Sequence, residues 1–202
     1  VTARDMVKLA EATIRDFPKL YKEFYAKPDF SWGQTMGGNA ITQANRDPLL
    51  GRVPGADGLK TGHTEEAGYS VTGSAEQNGR RIVMMMGGMT SFNQRIQQSV
   101  AFMNWGFRAW QDKTLAAKGK VVEKAEVQGG DASTVDLVAP QDVAVTIPSG
   151  STPDMQIKVV YQGPIQAPIK AGHHIADIVV TTPFTGAQTM PLVAARDVGK
   201  AG

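Results

Sequence analysis

Apolar residues recur at helical spacing in two stretches of the chain and at strand spacing through much of the rest. Met6, Leu9, Ala10 and Ile14 lie three or four residues apart, the repeat that lines one face of a helix. Ahead of them Thr2-Ala-Arg-Asp5 has the form of a capping box, with an acid where Glu or Gln is usual. Pro18 ends that run, since proline has no N–H to give a helix interior. Residues 27–56 are dense in Gly, Pro, Asn and Asp, show few periodic apolar positions, and are predicted to be mostly loop. From Asp57 short strands begin. Gly68–Ala75 and Arg80–Gly88 are expected strands flanking Asn78-Gly79, a dipeptide suited to the positive φ angles of a tight hairpin turn. Ile96, Val100, Met103, Phe107 and Trp110 then predict a second helix over about Asn93–Trp110, with one apolar stripe packed across the preceding sheet.

The pattern after residue 112 is β throughout. Val121–Val127, Thr134–Val138, Val143–Ile147, Met155–Tyr161, Ile175–Val180 and Thr189–Ala194 alternate or run β-branched. Gly129-Gly130, Pro148-Ser-Gly150, Gly163-Pro164 and Ala171-Gly172 supply turns between them, which together predict a small sandwich. Composition divides the chain at the same place. Residues 1–112 hold all three Trp, six of seven Phe and three of four Tyr, whereas 113–202 hold seven of the eleven Pro. The expectation is an α+β chain with two domains, 1–112 and 113–202.

Charge and cysteine content narrow the chemistry. Twenty-one Lys and Arg against 19 Asp and Glu leave a net of +2, no electrostatic case for a nucleic-acid partner. Cysteine is absent, which removes disulfides, thiolate catalysis and Cys-ligated zinc. No apolar run approaches the roughly 18 residues of a membrane span. His173-His174 are adjacent, so on a strand they face opposite sides, and no His-Glu-x-x-His occurs; no metal or other cofactor is expected. Neither a phosphate-binding Gly-x-x-x-x-Gly-Lys-Ser/Thr nor a Gly-x-Ser-x-Gly elbow is present. Met84-Met85-Met86 reads as core strand.

One stretch concentrates candidate chemistry: Asp57-Gly-Leu-Lys-Thr-Gly-His-Thr64, followed by Ala67-Gly68-Tyr69. It opens the predicted sheet, where a strand lines a cleft. Lys60 places an ammonium there, which attracts a carboxylate and favours deprotonation of its neighbours. Thr61 adds a hydroxyl, Gly62 leaves the backbone open to a ligand, and the backbone N–H of His63 can serve an oxyanion. The plain alternative is a solvated lysine on a strand before a turn.

Lys60-Thr61-Gly62 resembles the third motif of the penicillin-binding proteins and serine β-lactamases, whose set is Ser-x-x-Lys, Ser-x-Asn and Lys-Thr-Gly. The longer string through Thr64, with Ala67-Gly68-Tyr69, resembles the low-molecular-mass D-alanyl-D-alanine carboxypeptidases in particular. Thr2-Ala-Arg-Asp-Met6 is similar to the helix after that family's Ser-x-Asn motif, Asn104-Trp-Gly-Phe-Arg108 to the helix before its domain boundary, and Pro191-Leu-Val-Ala-Ala195 to the end of its C-terminal β domain. The fold implied is the C-terminal part of a β-lactamase/transpeptidase-like domain followed by an all-β domain. No serine here has lysine three residues on, and Ser91-Phe-Asn93 stands after Lys-Thr-Gly, in the wrong order. The resemblance therefore implies that the nucleophile and the middle motif lie upstream of Val1.

By the same resemblance the full enzyme removes the terminal D-Ala from peptidoglycan stem pentapeptides through an acyl-enzyme, and penicillins and other β-lactams acylate the same serine. Lys60 and His63 are the implied catalytic residues. Lys60, Thr61, Gly62, His63, Thr64 and Arg95 are the implied substrate-binding ones, Arg95 standing where the family's carboxylate-binding arginine occurs. The implied partners are the N-terminal portion of the same enzyme and a membrane reached only through a C-terminal anchor that this chain lacks. The implied location is the bacterial periplasm, at the cell envelope. Two other readings stay open: a β-lactamase-like hydrolase of the same fold, and a non-catalytic envelope-binding module that keeps the strand without the chemistry.

Overall fold

The structure, a computed structural model, describes residues 1–202. It divides into two compact units, Val1–Arg108 and Ala109–Gly202. In the first unit the order is α1 (Ala3–Asp16), α2 (Pro18–Phe24), β1 (Asp29–Gln34), β2 (Ala40–Ala44), β3 (Ala56–Thr64), β4 (Gly68–Gln77), β5 (Arg80–Met89) and α3 (Phe92–Ala109).

The capping box is formed in full: Asp5 N–H donates to Thr2 Oγ1 at 3.2 Å, and Thr2 N–H donates to Asp5 Oδ2 at 2.8 Å. Helix α1 ends at Asp16 as Pro18 requires, but Pro18 also opens α2, because the N–H of a first-turn residue makes no bond within the helix and is not missed. Residues 27–56 are mostly loop and turn, as expected, but not throughout. They hold the β1–β2 hairpin, in which Phe30 and Trp32 share one face with Gln43 and Ile41 opposite them. Both aromatic rings stay exposed, and the glycine-rich tip and the register break at Gly33 hide the alternation from a sequence reading.

Strands β3, β4 and β5 form an antiparallel sheet in that order, leaving β3 at an edge. Asn78 and Gly79 take φ of 51° and 77° at the β4–β5 turn, the left-handed pair the sequence predicts. Alternate residues face opposite sides. Val71 and Ala75 of β4 and Met84 of β5 pack with Met103 of α3, while α1 packs on the other side against β4 and β5. Val100 and Phe107 join that core, as the predicted stripe requires. Trp110 does not, since the helix ends at Ala109 and Trp110 opens a strand.

The second unit contains β6 (Trp110–Ala116), β7 (Val121–Gln128), β8 (Thr134–Val138), β9 (Val143–Pro148), β10 (Gln156–Val160), β11 (Ile165–Gln166), β12 (His174–Thr181) and β13 (Gln188–Ala194). Six strands form one sheet in the order β10-β12-β13-β8-β7-β11, and β6 pairs with β9 apart from it. Val143, Val145 and Ile147 of β9 share one core with Leu137, Ile178, Val180 and Leu192 of the larger sheet. The two layers bury alternate residues against each other, which is how a sandwich closes. Strand β6 was not expected, because Gln111, Asp112 and Lys113 give it a mostly polar face. No helix of the protein is long and apolar enough to cross a membrane.

Candidate active site

Edge strand β3 carries the predicted motif. Its residues pair with β4 so that Lys60 lies opposite Thr72, Thr61 opposite Val71, Gly62 opposite Ser70 and His63 opposite Tyr69. Thr61 and His63 thus share the face on which α3 packs. The start of the strand is pinned from two sides. Tyr21 of α2 donates its hydroxyl to Asp57 Oδ1 at 2.6 Å, and Arg81 of β5 pairs with the same carboxylate at 2.9 Å. Arg81 also donates to Ser74 Oγ at 2.7 Å and reaches Glu76 at 2.6 Å. Burial and the Asp57 carboxylate raise the Tyr21 hydroxyl well above its ordinary pKa, so it stays a donor.

An open cleft of about 570 Å³ runs beside the strand, bordered by Arg46, Lys60, Thr61, Gly62, His63, Tyr69, Phe92 and Arg95. Four of the motif's residues and the α3 arginine therefore meet at one place. Lys60 is exposed to this cleft, and its Nζ donates to the Thr61 carbonyl. A Cβ at position 62 would lie 2.7 Å from Ser70 Oγ, so glycine there lets the two strands keep their spacing. Thr64 does not border the cleft. Its hydroxyl instead accepts the Ala67 N–H at 3.0 Å and holds the β3–β4 turn.

Arg95 sits in the first turn of α3 with only 3 % of its surface exposed. Its guanidinium carbon lies 5.5 Å from the Tyr69 ring centroid and 5.1 Å from that of Phe92. Its Nε is buried without a hydrogen-bond partner. Burial lowers its pKa from the ordinary arginine value, opposed by Tyr69, and the nearby Arg46 charge lowers it further. Such a cation is poorly satisfied by the protein alone and suits an incoming anion.

Arg46 is a cleft residue that the sequence did not single out. Around it Asn45 accepts the Asp47 N–H at 2.9 Å and donates to the Lys27 carbonyl at 2.9 Å. Asp47 in turn accepts the Leu49 N–H at 2.9 Å. Burial raises the Asp47 pKa, and its second oxygen has no partner. No sequence pattern separates this arginine from other loop arginines; only the fold carries it to the cleft. Ser91, by contrast, accepts the Gln94 N–H at 3.1 Å and caps α3, so its Ser-x-Asn spelling has a structural use. His173 follows the Ala171-Gly172 turn, donating its N–H to the Lys170 carbonyl at 3.1 Å, and His174 pairs with Asp177 at 2.9 Å on the surface of the other unit.

Residues 1–90 match the family model of D-alanyl-D-alanine carboxypeptidase, and residues 110–200 match that of the penicillin-binding protein 5 C-terminal domain. The chain is 34% identical over 207 residues to D-alanyl-D-alanine carboxypeptidase DacA of Haemophilus influenzae, covering 100% of this chain and 50% of that protein. It is 30% identical over 199 residues to DacA of Escherichia coli, covering 98% of this chain and 48% of that one. Among solved structures, penicillin-binding protein 5 from Haemophilus influenzae aligns with a TM-score of 0.76 at 31% identity, over 98% of this chain and 57% of its own. The chain spans about half the length of the curated relatives it matches.

Proposed function

The chain belongs to the D-alanyl-D-alanine carboxypeptidase family, and from that premise we propose that the full-length protein is a serine carboxypeptidase acting on peptidoglycan stem peptides. The observation that carries the proposal is the single cleft in which Lys60, Thr61, Gly62, His63 and Arg95 meet. A substrate ending in D-Ala-D-Ala has two features to be held: the carbonyl under attack and a free carboxylate one residue beyond it. An edge strand offers unpaired backbone to an extended peptide, and β3 is at an edge.

In this reading a serine from the portion outside this chain attacks the carbonyl between the two D-alanines. The C–N bond breaks, D-alanine leaves with a proton on its amine, and water then hydrolyses the acyl-enzyme. The His63 N–H supplies one oxyanion donor. Lys60 stabilises the developing negative charge and assists the protonation cycle beside the serine. The Thr61 hydroxyl and the Arg95 guanidinium hold the terminal carboxylate. Gly62 keeps the strand open, and Thr64 shapes its end.

A β-lactam presents a strained amide to the same groups and becomes a covalent partner. The protein acts at the cell envelope, in the bacterial periplasm, where its substrate is. The β unit stands the catalytic unit off the membrane or binds another envelope protein.

The test is incubation of the full-length protein with a fluorescent penicillin, together with D-alanine release from a D-Ala-D-Ala peptide. Covalent label and D-alanine release are expected. Fast turnover of the penicillin would favour a β-lactamase-like hydrolase, and neither label nor release would leave a non-catalytic envelope module.

A further inference from the structure

Tyr69 touches two groups that the carboxypeptidase reading assigns to different tasks. Its ring centroid lies 3.9 Å from that of the His63 imidazole, with the planes tilted by 31°. The Arg95 guanidinium carbon stands 5.5 Å from the same ring. His63 comes from the edge strand and Arg95 from the first turn of α3, so one side chain joins two elements.

The joining residue is paired on both sides. Tyr69 lies on β4, the central strand, paired with His63 on one side and Met89 on the other. Its two partners are held less firmly. His63 is the next-to-last residue of an edge strand, close to the turn at Glu65–Ala67, and Arg95 has a buried Nε without a hydrogen-bond partner. What fixes the guanidinium is aromatic: Tyr69 and Phe92.

A D-Ala-D-Ala end places its scissile carbonyl and its carboxylate a fixed few bonds apart. Donors for the two must therefore keep a fixed spacing, and small errors in it cost large factors in rate. We propose that Tyr69 is a positioning residue that sets the distance between the oxyanion-binding end of β3 and Arg95, and thereby sets the preference for a free terminal carboxylate. The inference rests on the carboxypeptidase reading and deepens it, since it concerns which peptide ends the site accepts. The phenol hydroxyl has no part in it; the ring does the positioning.

The experiment measures kcat and KM of the full-length protein for two peptides, one ending in D-Ala-D-Ala and one with that terminus blocked as the amide. Wild type is compared with Tyr69→Leu, Tyr69→Met and Tyr69→Phe. In the two aliphatic variants the acid-over-amide ratio of kcat/KM falls about tenfold, the equivalent of one charge-assisted hydrogen bond losing its geometry, and it falls mainly through KM. Hydrolysis of the amide peptide falls by a smaller factor, and an unchanged circular dichroism spectrum with a cooperative melt reports an intact fold. Tyr69→Phe keeps the wild-type ratio within about twofold, since the ring is retained. An unchanged ratio in a folded aliphatic variant overturns the inference, as does a Tyr69→Phe protein that loses the ratio equally. If both aliphatic variants fail to fold, Tyr69 is a core residue and the inference is wrong. A wild-type protein that takes β-lactam label but shows no preference for the acid also overturns it while leaving the carboxypeptidase reading intact. Wild type that neither labels nor hydrolyses overturns that reading first.

Discussion

Arg95 carries its charge where three local effects oppose it. Burial lowers its pKa, Arg46 adds a second positive charge beside it, and the first turn of α3 is the positive end of the helix dipole. Tyr69 and Phe92 offset part of that through their ring faces. Buried charges of this kind contribute little to stability, and an apolar replacement of similar shape is often neutral or better. In the full-length protein Arg95→Met is therefore expected to leave Tm unchanged or raise it, because methionine also packs well on aromatic rings. The same substitution should lower kcat/KM for a D-Ala-D-Ala peptide about 10- to 100-fold, the worth of a lost charge-assisted hydrogen bond. A lower Tm with unchanged kcat/KM would make Arg95 a structural residue. Its helical position was legible in the sequence, but its burial between two rings was not, since Tyr69 lies 26 positions earlier in the chain.

Among the elements, the β4–β5 hairpin presents the residue on which the second cleft partner rests. Its turn was readable because Asn78-Gly79 is a local signal: two residues decide the backbone without reference to the rest of the fold. Gly79 has φ of 77°, and a Cβ there would meet nothing within 4 Å. Gly79→Ala should therefore cost only the left-handed backbone penalty, about 1–2 kcal/mol, measured by denaturant unfolding of the full-length protein. A loss well beyond that would mean that the turn is packed against something further. The β1–β2 hairpin shows the opposite case. Its alternation covers only Phe30, Trp32 and Ile41, and glycines at 33, 37 and 38 mask it. Strand β6 was hidden for a related reason: its polar residues pair with β9, whose inward valines carry the pattern.

For the whole molecule, each unit has a core of its own. The second encloses Val135, Leu137, Val145, Ile147, Val180 and Leu192, each at 1 % exposure or less. A unit that completes its core without outside residues should fold alone. Residues 109–202, expressed by themselves, are expected to melt in a single cooperative transition followed by circular dichroism; a broad, non-cooperative loss of signal would show that this core depends on the rest of the protein. The first unit depends more on assembly at a distance, since its cleft draws on the loop before β3, on β3 and β4, and on α3. The amino-acid sequence by itself determined the β4–β5 hairpin and its turn, most strands of the second unit, both long helices, the cap of α1 and the family motif on β3, because each is written in residues within a few positions of one another. Only the tertiary structure decided that Arg46 and Tyr69 stand beside Lys60 and Arg95, because that proximity arises from strand pairing and from the packing of α3 on the sheet, contacts between residues far apart along the chain.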